Sequence, residues 1–346
     1  MTSEINQQNK QLVWDFWQSL ASSANRQTDG DLARYLDREH VWHGPDPINE
    51  VHGIDAFASD FWQPLLHSFP DLERQCHVFI GGASSGRADG SNDGRMWVGG
   101  TGVFNATFAN DYLSIPANSE TVSIRWGDFC CIEQGKIVET YCLLDFVDLM
   151  QQAGVNVLPP SRGVDGVYPP PRARDGVLLE AQGKRESAHT LDHIRRFIFD
   201  ALNSYDQSEL KSMGIADYFH PDVHWYGPGG IGACLSLKDF EDNHQKHWLH
   251  AYPDRQVQDL DALIAEGPYS GGPGWAGVKA THTGEYLDVA ATNQSVEFNG
   301  LDFWKLENDQ YVENWVFVDM VHLFRQFDVN LFERMQRMVE SIGNDA

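Results

Sequence analysis

Basic side chains are scarce: 25 Lys and Arg stand against 50 Asp and Glu, a formal net charge of -25. Nucleic acids and anionic lipid surfaces draw their affinity from clustered Lys and Arg, so neither nucleic acid nor membrane is expected as a partner. Cysteine is also sparse. Cys76, Cys130, Cys131, Cys142 and Cys234 are odd in number and lack metal-ligand spacing. Adjacent Cys130 and Cys131 point to opposite faces of a strand, so a reducing compartment is expected rather than a disulfide framework. No apolar run reaches the ~20 residues of a membrane span, and the first residues carry no signal-peptide core. The default expectation is therefore cytoplasmic. No Ser or Cys sits in a nucleophile elbow. His244, His247 and His250, three apart on a helix, spread over roughly 200° and have no carboxylate to orient them. Gly227 to Gly232 spells GxGxxG, but no βαβ unit surrounds it, so it reads as a turn. Neither a metal nor a cofactor is expected.

What is present is a repeat. Trp42-His43-Gly44-Pro45 recurs as Trp225-Tyr226-Gly227-Pro228, a shift of 183, which also carries Phe57 onto Phe240 and Phe69-Pro70-Asp71 onto Tyr252-Pro253-Asp254. Later the shift is 174: Asp128-Phe129 falls on Asp302-Phe303, Val138-Glu139 on Val312-Glu313, Asp145 on Asp319 and Gln152 on Gln326. The lost nine residues lie in the polar stretch 81–95, which reads as a long hairpin loop. Between the copies, Pro159-Pro160 and Pro169-Pro170-Pro171 mark a semi-rigid linker. The expected organisation is a first domain over 1–156, a linker over 157–184 and a second domain over 185–346.

Each copy places helices before strands. Leu12, Val13, Phe16, Trp17 and Leu20 have helical spacing, as do Leu191, Ile194, Phe197, Ile198 and Leu202. A second helix stops at each aromatic-Pro-Asp. Four β-rich runs follow, in the second copy about 257–266, 274–286, 295–307 and 311–322. Helices followed by strands, without βαβ alternation, indicate an α+β fold with an antiparallel sheet curled round its helices. The mouth of such a cone is a natural small-molecule site.

These residues resemble the SnoaL-like polyketide cyclase, or ester cyclase, family of the nuclear transport factor 2-like superfamily. The resemblance is carried by His250 to Asp254, by Ala280-Thr281-His282-Thr283-Gly284, and by Asp302-Phe303-Trp304-Lys305 through Val312-Glu313-Asn314-Trp315, Asp319 and Gln326. It implies two tandem cystatin/NTF2-like α+β barrels, each a cone around a pocket. It also implies a metal-free, cofactor-free enzyme using an aspartate late in the last strand as acid/base, here Asp319 and Asp145. The first copy departs from the pattern at Thr107-Phe108-Ala109-Asn110, where the family has Thr-His-Thr-Gly.

Proton abstraction beside a carbonyl needs a base poised near neutral pH and a donor for the enolate oxygen. Alternation places Trp315, Phe317 and Asp319 on one face, where apolar neighbours would raise the carboxyl pKa. The candidate acid/base groups are Asp319, His282, Asp145 and His43. Candidate substrate contacts are Trp225, Tyr226, Trp304, Trp315, Lys305, Trp42 and Tyr141. The expected substrate is a small apolar carbonyl or ester compound, and the reaction a cyclisation, isomerisation or hydrolysis. The alternatives are a non-catalytic ligand-binding or dimerising scaffold, and an epoxide hydrolase using Arg125 and Asp145. The two halves are expected to form an internal pseudo-dimer, with homo-oligomers as a further option.

Overall fold

Helix α1 (Thr2–Ser22) buries Val13, Phe16, Trp17 and Leu20, spaced i, i+3, i+4 and i+7, against the sheet of the first half. This is a computed structural model, and it describes residues 2–22, 32–207 and 209–344. The first half continues with β1 (Leu36–His43), β2 (Glu50–His52), helix α2 (53–68), β3 (Glu73–Ala83), β4 (Met96–Thr107), β5 (Thr121–Glu133), β6 (Lys136–Leu144) and helix α3 (Phe146–Gln152). The sheet order is β2-β1-β6-β5-β4-β3, with β1 parallel to β6 and all other neighbours antiparallel.

The second half repeats the plan. Helix α4 (184–204) leads, after a single helical turn at Ile215–Tyr218, to β7 (Phe219–Tyr226), β8 (Ala233–Cys234) and helix α5 (237–251). Then come β9 (Gln256–Val257), β10 (Ile264–Glu266), β11 (Tyr269–Thr281), β12 (Ser295–Glu307), β13 (Gln310–Val318) and helices α6 (Met320–Arg325) and α7 (Leu331–Asn344). Its sheet runs β10-β11-β12-β13-β7-β8, with β9 on β11. The aromatic-Pro-Asp motif has the same task in both halves. Asp71 accepts from the backbone and side chain of Thr107, and Asp254 accepts from those of Thr281, which ties the helix end to a strand.

Two expectations need correction. The sheets are curved but open, not closed barrels: the outer strands of each sheet remain unpaired with each other. The last strand ends at Val318, not near 322, because Asp319 caps a helix.

The halves pack sheet to sheet. Val78, Trp97, Phe129, Tyr141, Tyr226, Leu301, Phe303, Trp315 and Phe317 form a second core between the sheets, separate from the one under the helices. Phe129 stacks on its own repeat counterpart Phe303 (centroids 4.8 Å, planes 13° apart), which marks the local twofold relating the halves. Glycines flank the pair. A Cβ on Gly271 would lie 2.8 Å from Phe303 and 3.0 Å from Phe129, so a larger residue would push the stack apart.

The linker straps this assembly. Gly176 and Leu178 bond to both sides of Phe79, Val164 bridges to Ala233, and Pro169 accepts from the Trp315 indole at 2.9 Å. The hairpin loop that only the first half carries lies on the second half: Ser85 bonds to Leu263 and Gly86 to Leu260. The insertion therefore contributes to the interface as well as being tolerated. No helix among the described residues is long and apolar enough to cross a membrane.

Candidate functional site

The largest difference between the halves is the inside of the cone. In the second half it holds a cavity of about 220 Å³, walled by Phe197, Ile198, Trp225, Trp248, Phe298 and Trp304 among others. The matching space in the first half is about 10 Å³, barely enough for one water. Four replacements explain this. In the first half the Arg74 guanidinium lies 4.2 Å from the centre of the Trp126 ring, 4.7 Å from Phe104 and 4.8 Å from Trp17, and pairs with Asp128 at 3.0 Å. The repeat turns Arg74 into Val257, Phe104 into Val278 and Trp126 into Gly300. Ile198 follows Phe197 as Trp17 follows Phe16. A cation and three large rings are lost together, and the space stays open.

Asp302, the counterpart of Asp128, lines this cavity without its cation. Desolvation pushes its carboxyl up to about 8, and the hydrogen bond from the Asn314 side chain only partly opposes that. Asn314 lies diagonally across from it on β13 and also donates to the Phe303 carbonyl at 3.0 Å. His244 on α5 stacks on Trp225 (4.2 Å, 22°), and burial lowers its pKa to about 3, so its imidazole is neutral. Arg255 also faces the cavity. A carboxylic acid that titrates near neutrality, a neutral imidazole and a carboxamide thus share an apolar chamber, and such a set can donate to a carbonyl oxygen or exchange a proton with carbon.

Of the residues singled out from the sequence, Trp225 and Trp304 line the cavity. The others lie elsewhere. Asp319 caps α6: Oδ1 accepts from the His322 amide at 3.0 Å and Oδ2 from the Asp46 amide of the other half at 2.8 Å. Burial pushes its carboxyl up to about 7. Asp145 mirrors it at α3, accepting from the Asp148 amide at 3.0 Å and the Gly229 amide of the second half at 2.8 Å, with Arg125 at 3.4 Å. Asp46 and Gly229 are 183 apart, so each half clamps the other's Gly-Pro loop with the same aspartate. Gly229 is required there, since a Cβ would fall 2.4 Å from the Asp148 nitrogen. This also accounts for the glycine-rich run as a clamped turn.

Tyr226, Trp315 and Tyr141 belong to the sheet–sheet core: past the register shift between Tyr311 and Glu313, Trp315 and Phe317 of β13 pack against the other sheet, while Asn314, Val316 and Val318 face the cavity, which Phe317 also borders. Alternation makes Trp315 and Phe317 a candidate pocket wall; their shared face packs mainly against the other sheet, and Phe317 alone of the two also borders the cavity. Lys305 is paired with Asp175 and Glu307 beside the linker. His43 stacks on Tyr141 at 4.3 Å and meets Glu139 and Glu50 at 3.2 and 3.0 Å. Trp42 stacks on Phe61 inside the filled cone. His282 is fully buried against Phe327 with Nδ1 3.1 Å from Thr292, and burial lowers its pKa. The described residues hold no cluster of His, Cys, Asp and Glu fit for a metal ion.

Asp302, Asn314 and Arg255 are not among the site residues the sequence points to, and His244 enters there only as one of three helical histidines weighed as metal ligands. A usable signal existed: Asp128 and Asp302 align, but the cation beside the first has become valine beside the second.

Comparison with known proteins agrees with the duplicated plan. Residues 193–327 match the family model described as SnoaL-like polyketide cyclase, and residues 18–140 match the SnoaL-like domain model. The protein is a tandem of two SnoaL-like domains. No curated protein matches it. Among solved structures, AclR of Streptomyces galilaeus is 22% identical and is covered over 97% of its length by 41% of this chain, with a TM-score of 0.34. IdmH of Streptomyces antibioticus is 18% identical (99% of its length, 40% of this chain, TM-score 0.33), and a SnoaL-like protein of Jannaschia sp. CCS1 is 12% identical (99% and 43%, 0.37). Among the described residues, only the cone of the second SnoaL-like domain is open.

Proposed function

We propose that the second domain is the working half of a cofactor-independent enzyme that acts on a small, largely apolar carbonyl or ester compound by proton transfer through Asp302. The reaction class is cyclisation, isomerisation or hydrolysis, in keeping with the description of the matched family. The observation that carries the reading is a desolvated carboxyl group, poised near neutral pH, in the one cone with room for a ligand among the described residues. In its ionised form Asp302 takes a proton from the carbon next to the carbonyl. The C–H electron pair moves into the enolate, and Asn314 or the neutral His244 ring donates to the developing oxyanion. Asp302 then returns the proton. The first domain serves as a packing partner, its cone filled by Arg74 and three rings.

Deuterium exchange at the α-carbon of small aryl ketones, followed by NMR in D2O, tests the proton transfer without knowledge of the natural substrate. Wild type is expected to accelerate exchange, and Asp302→Asn to lose at least a hundredfold of that while remaining folded at the assay pH. Exchange by the variant at the wild-type rate would remove Asp302 from the reaction. A second reading, hydrolysis of an epoxide, has support from one observation: Asp302, Arg255 and Asn314 all line the same cavity. Turnover of styrene oxide with no ketone exchange would favour it.

A further inference from the structure

Buried guanidinium groups in this protein come with carboxylates. Arg74 pairs with Asp128 at 3.0 Å, and Arg125 with Asp148 at 3.0 Å and Asp145 at 3.4 Å. Arg255 is the exception. It is only 6% exposed, yet no Asp or Glu among the described residues lies within ion-pair distance of it. Its Nη1 and Nη2 donate to the Leu202 carbonyl at 3.0 and 2.9 Å, Nη2 also touches the Met213 thioether, and the Tyr205 ring lies 5.7 Å away. The other titratable groups facing this space are His244, which is neutral, and Asp302, whose carboxyl burial pushes up to about 8.

The fold itself does not need an arginine here. The repeat places Leu72, buried at 5%, at the matching position of the first domain. An uncompensated buried cation costs several kcal/mol of desolvation, so retaining one where leucine packs well calls for a compensating anion. The guanidinium lines the cavity, and the anion can come from there.

We propose that the cavity of the second domain takes an apolar monocarboxylate, whose carboxylate pairs with Arg255 while its apolar body lies between Trp225, Trp248 and Phe298. A single cation matches a single negative charge. A phosphomonoester would bring a charge of about -1.5 to -2 and leave the excess buried in an apolar wall. The assignment rests on the second cone being the working cavity but is independent of the role given to Asp302.

Binding of a series of ω-phenylalkanoates and of the corresponding neutral amides, measured by calorimetry on the full chain at pH 7, tests this. For the best-fitting chain length the acid is expected to bind about 10- to 100-fold more tightly than its amide, as a charge-assisted pair in a dry site provides. Arg255→Met is expected to abolish that preference while amide binding stays. Arg255→Lys, which keeps the charge, is expected to restore part of it and guards against a variant that merely misfolds. Asp302→Asn is expected to leave the acid-to-amide ratio unchanged, so failure of proton transfer and failure of anion binding read out separately. Equal affinity for acid and amide in wild type, an undiminished preference in Arg255→Met, or no binding by any acid of the series overturns the proposal.

Discussion

The protonation of Asp302 can be tested through stability alone. Its carboxyl has an ordinary value of 3.8 and stands at about 8 in the folded protein, the cause being desolvation. Between those values the folded protein holds a proton that the unfolded chain has released. The raised folded value therefore means that the stabilising contribution is fully present below about pH 4 and is lost as pH rises through 8. Linkage sets the slope at about 1.4 kcal/mol per pH unit for one proton. The full span of about four units gives a ceiling of about 5–6 kcal/mol. The carboxyl lines a cavity with room for water, so the realised loss falls below that ceiling. Asp302→Asn keeps the shape and removes the proton. Denaturant unfolding of both proteins from pH 4.5 to 8.5 should give a difference curve that climbs in favour of the variant as pH rises. Asp319 and Asp148 titrate over the same range, but in both proteins, and cancel in the difference. Parallel curves would mean that Asp302 is ionised throughout, for example by pairing with Arg255, and would refute the reasoning.

Three further outcomes follow from the same geometry. Arg74→Met should cost about 3–5 kcal/mol, because Asp128 is left buried and unpaired, and adding Asp128→Leu should recover most of it; denaturation midpoints decide. Asp319→Ala removes an N-cap and leaves the Asp46 amide without its acceptor, for an expected loss of about 2–3 kcal/mol in thermal unfolding; an unchanged melting temperature would deny the clamp between domains. Ile198→Trp should refill the open cone as Trp17 fills the other, abolishing binding of the phenylalkanoates with little loss of stability, as measured by calorimetry and melting.

The repeat and the order of helices and strands are legible because they depend on local patterns: apolar spacing of 3.6 or 2, proline, and residues recurring at a fixed shift. Those patterns, with the family resemblance they carry, determined two SnoaL-like α+β domains. They did not determine which face of a strand looks inward. Trp315 and Phe317 have the alternation of a pocket wall, yet each sheet has two buried faces here, one under its helices and one against the other sheet, so alternation alone could not say which. Asp319 and Asp145 were recognisable as a repeated pair, but a capping bond to an amide of the other half exists only once the halves are docked. Whether a cone is open was likewise a tertiary matter. It depended on Arg74, Trp17, Phe104 and Trp126, far apart in the chain, meeting around Asp128 in one half and being replaced by smaller side chains around Asp302 in the other. Volume and desolvation are sums over neighbours in space, and the chain order does not show who those neighbours are.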